Sequence, residues 1–401
     1  MKDTNSIIEL KGTVQPYAWG GQQFIAQLLQ QPSTGKPMAE YWLGAHSSAS
    51  TQLVNTTAAN TLNDLLAQEG TNWLGTRHSF DALPFLLKVL DVHDMLSIQV
   101  HPTKTEAVKG FARENMLGIP LNAPNRNYKD DNHKPEVMVA LSDFYLLHGF
   151  LELTKMQLVL DSYEPFNPLK KLVTQENYTR LYAHVMQLPQ NEVDAILSPI
   201  VKICHQQIQQ GNDSKLFPYY WVNKLYPTPV EANIDRGLFS IFFFNIVYIP
   251  KGYGIFQAAG VPHAYLEGQN VELMANSDNV LRGGLTPKHI DVSELLKHTI
   301  CTPTIPKLLA PTADVTDYQF PVPDFALGHW QLGAQTPSMQ HTSSNFGILL
   351  CTGGEAVLKN SHGQFLVKEG KAFAIQAGTS FEITTASTAA LFFAYIPNFN
   401  G

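Results

Sequence analysis

Apolar residues come in short bursts along the first 150 positions, separated by glycine, proline and polar turns. That pattern predicts mixed short strands and turns with a few helices. The strongest burst, residues 83–100, predicts core strand interrupted by a polar turn at residues 91–94. In its last part, MLSIQVHP, Gln99 and His101 alternate with Ile98 and Val100. In a strand this sends Gln99 and His101 to one face and the aliphatic pair to the other. The period then changes. Residues 192–209 carry Val193, Ile196, Leu197, Ile200, Val201, Cys204 and Ile208, a helical stripe in which Pro199 predicts a kink or a break. Residues 151–160 and 176–186 read as shorter helices. Strand-like patterning resumes near Leu238 and runs into IFFFNIVYIPKGY, residues 241–253.

A repeat follows. IPKGYGIFQAAGVPHAY (residues 249–265) aligns without gaps to VKEGKAFAIQAGTSFEI (residues 367–383), matching Gly252 to Gly370 and Ala259-Gly260 to Ala377-Gly378. Strand, glycine turn, strand, glycine turn, strand resembles the cupins, which are jelly-roll β-sandwiches. Glycine suits tight turns that need positive φ. The expected fold is mainly β with a helical insertion: two cupin-like jelly-roll β-sandwiches plus an α-helical domain. Residues 1–151 and 236–300 would form the first sandwich, with residues 152–235 inserted as helices. Proline-rich residues 301–324 would link it to a second sandwich at 325–401. Phe381 stands where the first copy has His263, so the second sandwich lacks whatever that histidine does.

The chain has 401 residues, 44% of them hydrophobic and 15% charged, enough for a substantial core in two or three domains. Net charge −7 argues against nucleic-acid binding and against a polybasic membrane anchor. An anionic ligand would need a local basic pocket. The first residues, MKDTNSIIELKG, show no apolar leader, and no run reaches the length of a membrane span. Cys204, Cys301 and Cys351 are scattered and odd in number, so they read as reduced buried thiols. A cytoplasmic location is expected.

Gln99, His101, Glu136 in NHKPE and His263 in GVPHAY offer four N/O donors, enough for a tetrahedral or open five-coordinate zinc-like site. Gln is a rare ligand and adds no charge. One carboxylate against a divalent ion leaves net positive charge, which suits a Lewis acid acting on a sugar carbonyl or hydroxyl. Taken singly, each residue is equally a hydrogen-bonded core group.

Six segments in order carry a wider resemblance: PYAWG (residues 16–20), AEYWLGAHSSAS (39–50), LPFLLKVLDVHDMLSIQVHPTK (83–104), YKDDNHKPE (128–136), GVPHAYLEG (260–268) and SDNVLRGGLTPKHID (277–291). Together they resemble the type I phosphomannose isomerases, with the middle and last quarter of the chain matching more weakly. The resemblance implies that Gln99, His101, Glu136 and His263 hold one zinc per chain, other divalent ions also being able to fill such a site. It implies catalytic work for Arg282, Lys288, Glu272 and Asp278, and substrate contacts for Trp19, Lys88, Ser97, Lys134 and Tyr265. Arg282 is expected to stabilise enediolate charge or hold phosphate. Trp19 and Glu40 resemble N-terminal pocket elements. Tyr265 is as readily an aromatic wall as a chemical group. His46 and His148 lie in similar stretches but are read as structural.

The implied reaction is metal-dependent aldose–ketose isomerisation of mannose 6-phosphate and fructose 6-phosphate through a cis-enediol, serving mannose use or GDP-mannose supply. The base is Lys288, Glu272, Asp278 or a water on the metal; the residues do not choose. The implied partner is a small sugar phosphate, with no nucleic acid and no membrane, and the chain a monomer or weak homo-oligomer. Two other classes compete. An iron-dependent cupin oxygenase would use two histidines and one carboxylate, without need of Gln99 or Arg282. A silent sugar-phosphate sensor would bind without turnover.

Overall fold

In the computed structural model, which describes residues 5–398 apart from 57, 58, 174 and 176, the strands form two antiparallel assemblies, one of twelve strands and one of ten. The larger is organised around the 13-residue strand His263–Ala275. Its later residues pair with Phe85–Val92 on one side and Glu136–Ala140 on the other. Its first residues pair instead with Gln99–Val100 and Phe144–Phe150. One strand thus contributes to both walls of a sandwich. The register shifts between Tyr265 and Glu267, where it passes from one wall to the other. Gly268 follows with φ +126°, and a Cβ there would come within 2.6 Å of the Asp143 carbonyl oxygen, so only glycine fits.

Alternation then sorts the side chains. On the outside of the first wall, Leu87, Val89, Val137, Val139, Val271 and Leu273 pack into one apolar cluster with Phe346, Ile348, Leu350 and Phe392 of the ten-stranded assembly. On the outside of the second wall, Ile98, Val100, Leu147, Ala264 and Leu281 pack with Leu181, Val185, Leu197 and Val201 of the helices. Each buried aliphatic side chain contributes roughly 1.5–3 kcal/mol. These two apolar layers hold the walls. The alternate positions, among them Lys88, Glu136, Glu272, Gln99 and His263, are left facing the space between.

The helical segment contains Leu153–Ser162, Thr179–Gln187 and Gln190–Gln209. The last runs unbroken through Pro199, which lies on its exposed side, where water can satisfy the carbonyl that proline leaves unpaired. Glu176, the first residue of one expected helix, lies outside the described residues. The strand expected to resume near Leu238 does not. Leu238–Phe243 is a helix with all six residues buried, and the strand starts at Phe244. An element buried on every side has no polar face, so its apolar run reads equally as helix or strand.

The repeat is visible in three dimensions. Phe244–Ile249, Gly254–Gln257 and His263–Ala275 correspond to Gly363–Lys368, Ala372–Ile375 and Ser380–Thr384. The matched glycines have nearly equal positive φ: 87° and 81° at Gly252 and Gly370, 82° and 79° at Gly260 and Gly378. Phe381 is buried against Phe393 and His341, an apolar plug where the first copy has His263.

The strands sort differently from the expected division of the chain. Ile7–Lys11 pairs with Ala372–Ile375, and Gln52–Val54 pairs with Ile7–Lys11, so two N-terminal strands complete the C-terminal assembly. Within the expected linker, Val315–Tyr318 joins the C-terminal sheet and Leu308–Leu309 joins the first. Sheet edges are covered by whichever strand reaches them, and contiguity in sequence does not decide that. Among the described residues no helix is long and apolar enough to cross a membrane.

Candidate metal centre and active site

Strand register brings the polar side chains together from two directions. On the second wall, His263 lies directly opposite Gln99 on one side and His148 on the other, and Gln99 lies opposite Arg282. Directly opposed residues in an antiparallel pair share a face. His148, His263, Gln99 and Arg282 therefore form one row. On the first wall, Lys88 lies opposite Glu272 and Trp42, and Glu136 lies opposite Gln257 and Met274.

The two sets meet at His101, Glu136 and His263. All three are buried, and one donor atom from each lies within 4.8 Å of the others. His101 Nε2 is 3.5 Å and His263 Nε2 3.3 Å from the two carboxylate oxygens of Glu136. Each imidazole is oriented from behind: His101 Nδ1 lies 2.8 Å from the Asn279 carbonyl, and His263 Nδ1 2.9 Å from that of Val261. A carbonyl only accepts, so both Nδ1 atoms carry hydrogen and both Nε2 atoms face inward. Neither buried Nε2 has a well-formed hydrogen bond. Burial pushes the His101 imidazolium down to about 4, so the ring is neutral, as a ligand must be. Burial opposes charge on Glu136 as well. The Lys134 ammonium, at 2.8 Å, outweighs it and holds the carboxyl well below its ordinary range. Two inward imidazole nitrogens and one ionised carboxylate fit a divalent cation such as zinc. Gln99, half-buried and on the same face as His263, is placed to add the amide oxygen.

Next to this triad runs a buried ionic chain. Lys88 Nζ lies 3.3 Å from Glu40 and 3.2 Å from Glu272, and 5.1 Å from the centre of the Trp42 ring. Trp42 Nε1 donates to Glu40 at 2.5 Å. The Tyr265 hydroxyl donates to Glu272 at 2.7 Å and accepts from Gln257 Nε2 at 3.0 Å. Three carboxylates, of Glu40, Glu136 and Glu272, thus face two ammonium groups, of Lys88 and Lys134. Burial would neutralise Lys88, but Glu40 and Glu272 outweigh it and keep it protonated. The surplus negative charge is felt at Glu272. Burial, together with Glu136 and Glu40, raises its carboxyl above the ordinary value, with Lys88 opposing.

The other sequence candidates are distributed around this centre. Arg282 is half-buried, burial lowers its pKa, and among the described residues no carboxylate pairs with it. Asp278 is partly exposed and takes a 3.3 Å contact from His46 Nε2, whose hydrogen bond holds the carboxyl below its usual range. Lys288 is exposed, on the turn after Thr286, outside the buried cluster. Ser97 is half-buried two residues before Gln99. Trp19 is half-buried at the rim, stacked on Tyr17 with ring centres 6.0 Å apart. Tyr265 is buried, and its hydroxyl is bonded to Glu272 and Gln257, as an aromatic wall with a bonded hydroxyl would have it.

Two histidines read from sequence as structural lie near this centre. His46 contacts Asp278, and His148 sits buried beside His263. His148 has a sequence signal, the alternation in FYLLHGF, which places it on the face away from Leu147. Asn279 has none, since its side-chain partners lie 147 to 150 positions away in the chain.

Known proteins resemble nearly the whole of this chain. Residues 7–153 match the family model described as phosphomannose isomerase type I, catalytic domain. The mannose-6-phosphate isomerase of Salmonella typhimurium (strain LT2) is 36% identical over 93% of this chain and 95% of its own length. The human mannose-6-phosphate isomerase is 34% identical over 80% of this chain and 81% of its own. The crystal structure of the Salmonella typhimurium enzyme bound to its substrate fructose 6-phosphate and zinc superimposes with a TM-score of 0.84 at 33% identity, covering 98% of this chain and all of that one.

Proposed function

The chain belongs to the type I phosphomannose isomerases, and from that premise we propose that it interconverts mannose 6-phosphate and fructose 6-phosphate at the His101–Glu136–His263 centre. The observation that carries this reading is the pairing of an inward-facing two-histidine, one-carboxylate set with a buried carboxylate, Glu272, whose pKa is raised by burial. Gln99 completes the ligand set in this reading. A zinc ion, when bound, supplies Lewis-acid polarisation of a sugar oxygen.

The remaining work falls to side chains. In the open aldose, the proton on C2 is weakly acidic because it adjoins the C1 carbonyl. Glu272 takes that proton and returns it to C1, while a second proton passes from O2 to O1 through a cis-enediol. A base works best when its pKa lies near the working pH, and the raised carboxyl of Glu272 moves that way. Asp278 is held in the opposite direction and is a poorer shuttle. Lys288, being exposed, is better placed to meet substrate at the entrance than to reach C2. Lys88 and Tyr265 fix the Glu272 carboxylate from two sides. Lys134 offers a cation beside Glu136, and Arg282 supplies an uncommitted guanidinium for phosphate or enediolate charge. Trp19 and Ser97 line the approach.

The proposed ligands all come from one chain, so the centre needs no second copy. Three free buried cysteines support a cytoplasmic setting. Negative net charge supports a small sugar phosphate, not nucleic acid, as partner.

A coupled assay of mannose 6-phosphate conversion, before and after chelation, tests the reading. Chelation should abolish turnover and zinc should restore it. Glu272→Gln should lower kcat by 10²-fold or more, on the order of what a positioned acid–base contributes, while zinc content stays unchanged. Wild-type rates in Glu272→Gln would remove Glu272 from the mechanism. Zinc-loaded protein with no turnover would remove the reaction.

A further inference from the structure

The loop that delivers Glu136 and the segment that orients His101 are joined by one small set of polar groups. Past Glu136, which is paired with Met274, the two segments continue side by side: Ala275 N donates to the Pro135 carbonyl, and Asn132 Nδ2 to that of Asn276. Beyond them the join is made by side chains. Asn279 is 1% exposed. Its Oδ1 accepts from the main-chain N–H of Lys129 at 2.7 Å and of Asp130 at 3.3 Å. Its Nδ2 donates to the carbonyls of Asp130 and Asn132, both at 2.8 Å, and to Asp130 Oδ1 at 3.0 Å. The Asp130 carboxylate also accepts from Ser277 Oγ at 2.7 Å, Asp278 N at 2.8 Å and Asn132 N at 2.9 Å. The main-chain oxygen of this same Asn279 receives His101 Nδ1.

We propose that Asn279 and Asp130 form a clasp that positions the metal centre, coupling the orientation of His101 to the placement of the loop carrying Lys134 and Glu136. Asn279 is a positioning residue: its carbonyl sets the His101 tautomer, and its amide fixes residues 129–132, four to seven positions before the carboxylate ligand. A backbone carbonyl can orient an imidazole only as well as its own peptide is held. Here that peptide is held by the amide of its own residue. Without the clasp, His101 and Glu136 remain present, but each must be ordered separately when the metal arrives.

This inference rests on the ligand set proposed above, so the experiment reports on both. Zinc affinity is measured by chelator competition on wild type, His101→Ala, Asn279→Ala and Ser277→Ala, each checked for native circular dichroism. Cobalt-substituted protein gives a visible spectrum that reads ligand geometry directly. We expect Asn279→Ala, which keeps the residue-279 carbonyl but removes the amide, to weaken zinc binding by about 10–100-fold, the range seen when outer partners of metal ligands are lost. The cobalt spectrum should change, and activity missing at limiting zinc should return as zinc is raised. Ser277→Ala should weaken binding in the same direction by less, and carries the test if Asn279→Ala does not fold. Wild-type zinc affinity and cobalt spectrum in a folded clasp variant would overturn the proposal. Zinc affinity unaffected by His101→Ala would instead overturn the ligand set, and the clasp with it.

Discussion

Replacing Lys88 by Met isolates the electrostatics of the site, because Met keeps the length of the stem and removes only the charge. The Lys88 ammonium touches carboxylates at 3.3 and 3.2 Å, with a side chain only 9% exposed. At an effective dielectric near 20, each such contact is worth about 5 kcal/mol before desolvation is charged against it. Losing one partner of a buried pair costs about 3–5 kcal/mol in practice, because the other charge is left unpaired. Here Glu40 and Glu272 would both be left, near Glu136. The protein's escape is to take up a proton at the cluster. Burial, with Glu136 and Glu40, already raises the Glu272 carboxyl above its ordinary range, and removing the opposing Lys88 charge should raise it further. A carboxyl with a raised folded-state pKa binds a proton that the unfolded chain has lost. Stability then rises as pH falls from above the folded pKa towards the ordinary 4.5. Denaturant unfolding at pH 8 and pH 5.5 measures this. Lys88→Met should lose about 3–5 kcal/mol at pH 8 and distinctly less at pH 5.5. The double variant Lys88→Met/Glu272→Gln should recover part of the loss at pH 8. A pH-independent loss, or one under about 1 kcal/mol, would refute the picture of a buried cluster with surplus negative charge.

Two further outcomes follow from the same structure. Burial pushes His148 and His329 down to about 4 from an ordinary 6.5, so acid favours the unfolded chain, in which both take up protons. Stability should hold above pH 6.5 and fall towards pH 4, by on the order of 3 kcal/mol per histidine; a flat pH profile of unfolding over that window would contradict it. Phe381→Ala should cost about 3–5 kcal/mol, as a cavity in the C-terminal core, with zinc content and KM unchanged; calorimetry and metal analysis check both.

Alternation made much of the centre legible in the chain itself. Gln99 and His101 flanked by Ile98 and Val100, or Lys88 flanked by Leu87 and Val89, place polar groups on one face wherever the strands go. The glycine-spaced repeat determined the paired β-units, and the Phe381 substitution determined which copy has the histidine. What the residues left open, the tertiary structure decided. The proposed preference for Glu272 over Lys288 and Asp278 rests on burial and neighbours: exposure for Lys288, His46 for Asp278, burial beside Glu136 and Glu40 for Glu272. The clasp at Asn279 and the contact of His46 with Asp278 join residues more than a hundred positions apart. The N-terminal strand Ile7–Lys11 crosses to the C-terminal sheet, and Leu238–Phe243 coils instead of extending. Local sequence encodes a period, and a period specifies which face a side chain takes. It does not specify which distant strand, charge or carbonyl that face will meet. Those meetings set the pKa values, the imidazole tautomers and the ligand geometry on which the chemistry depends.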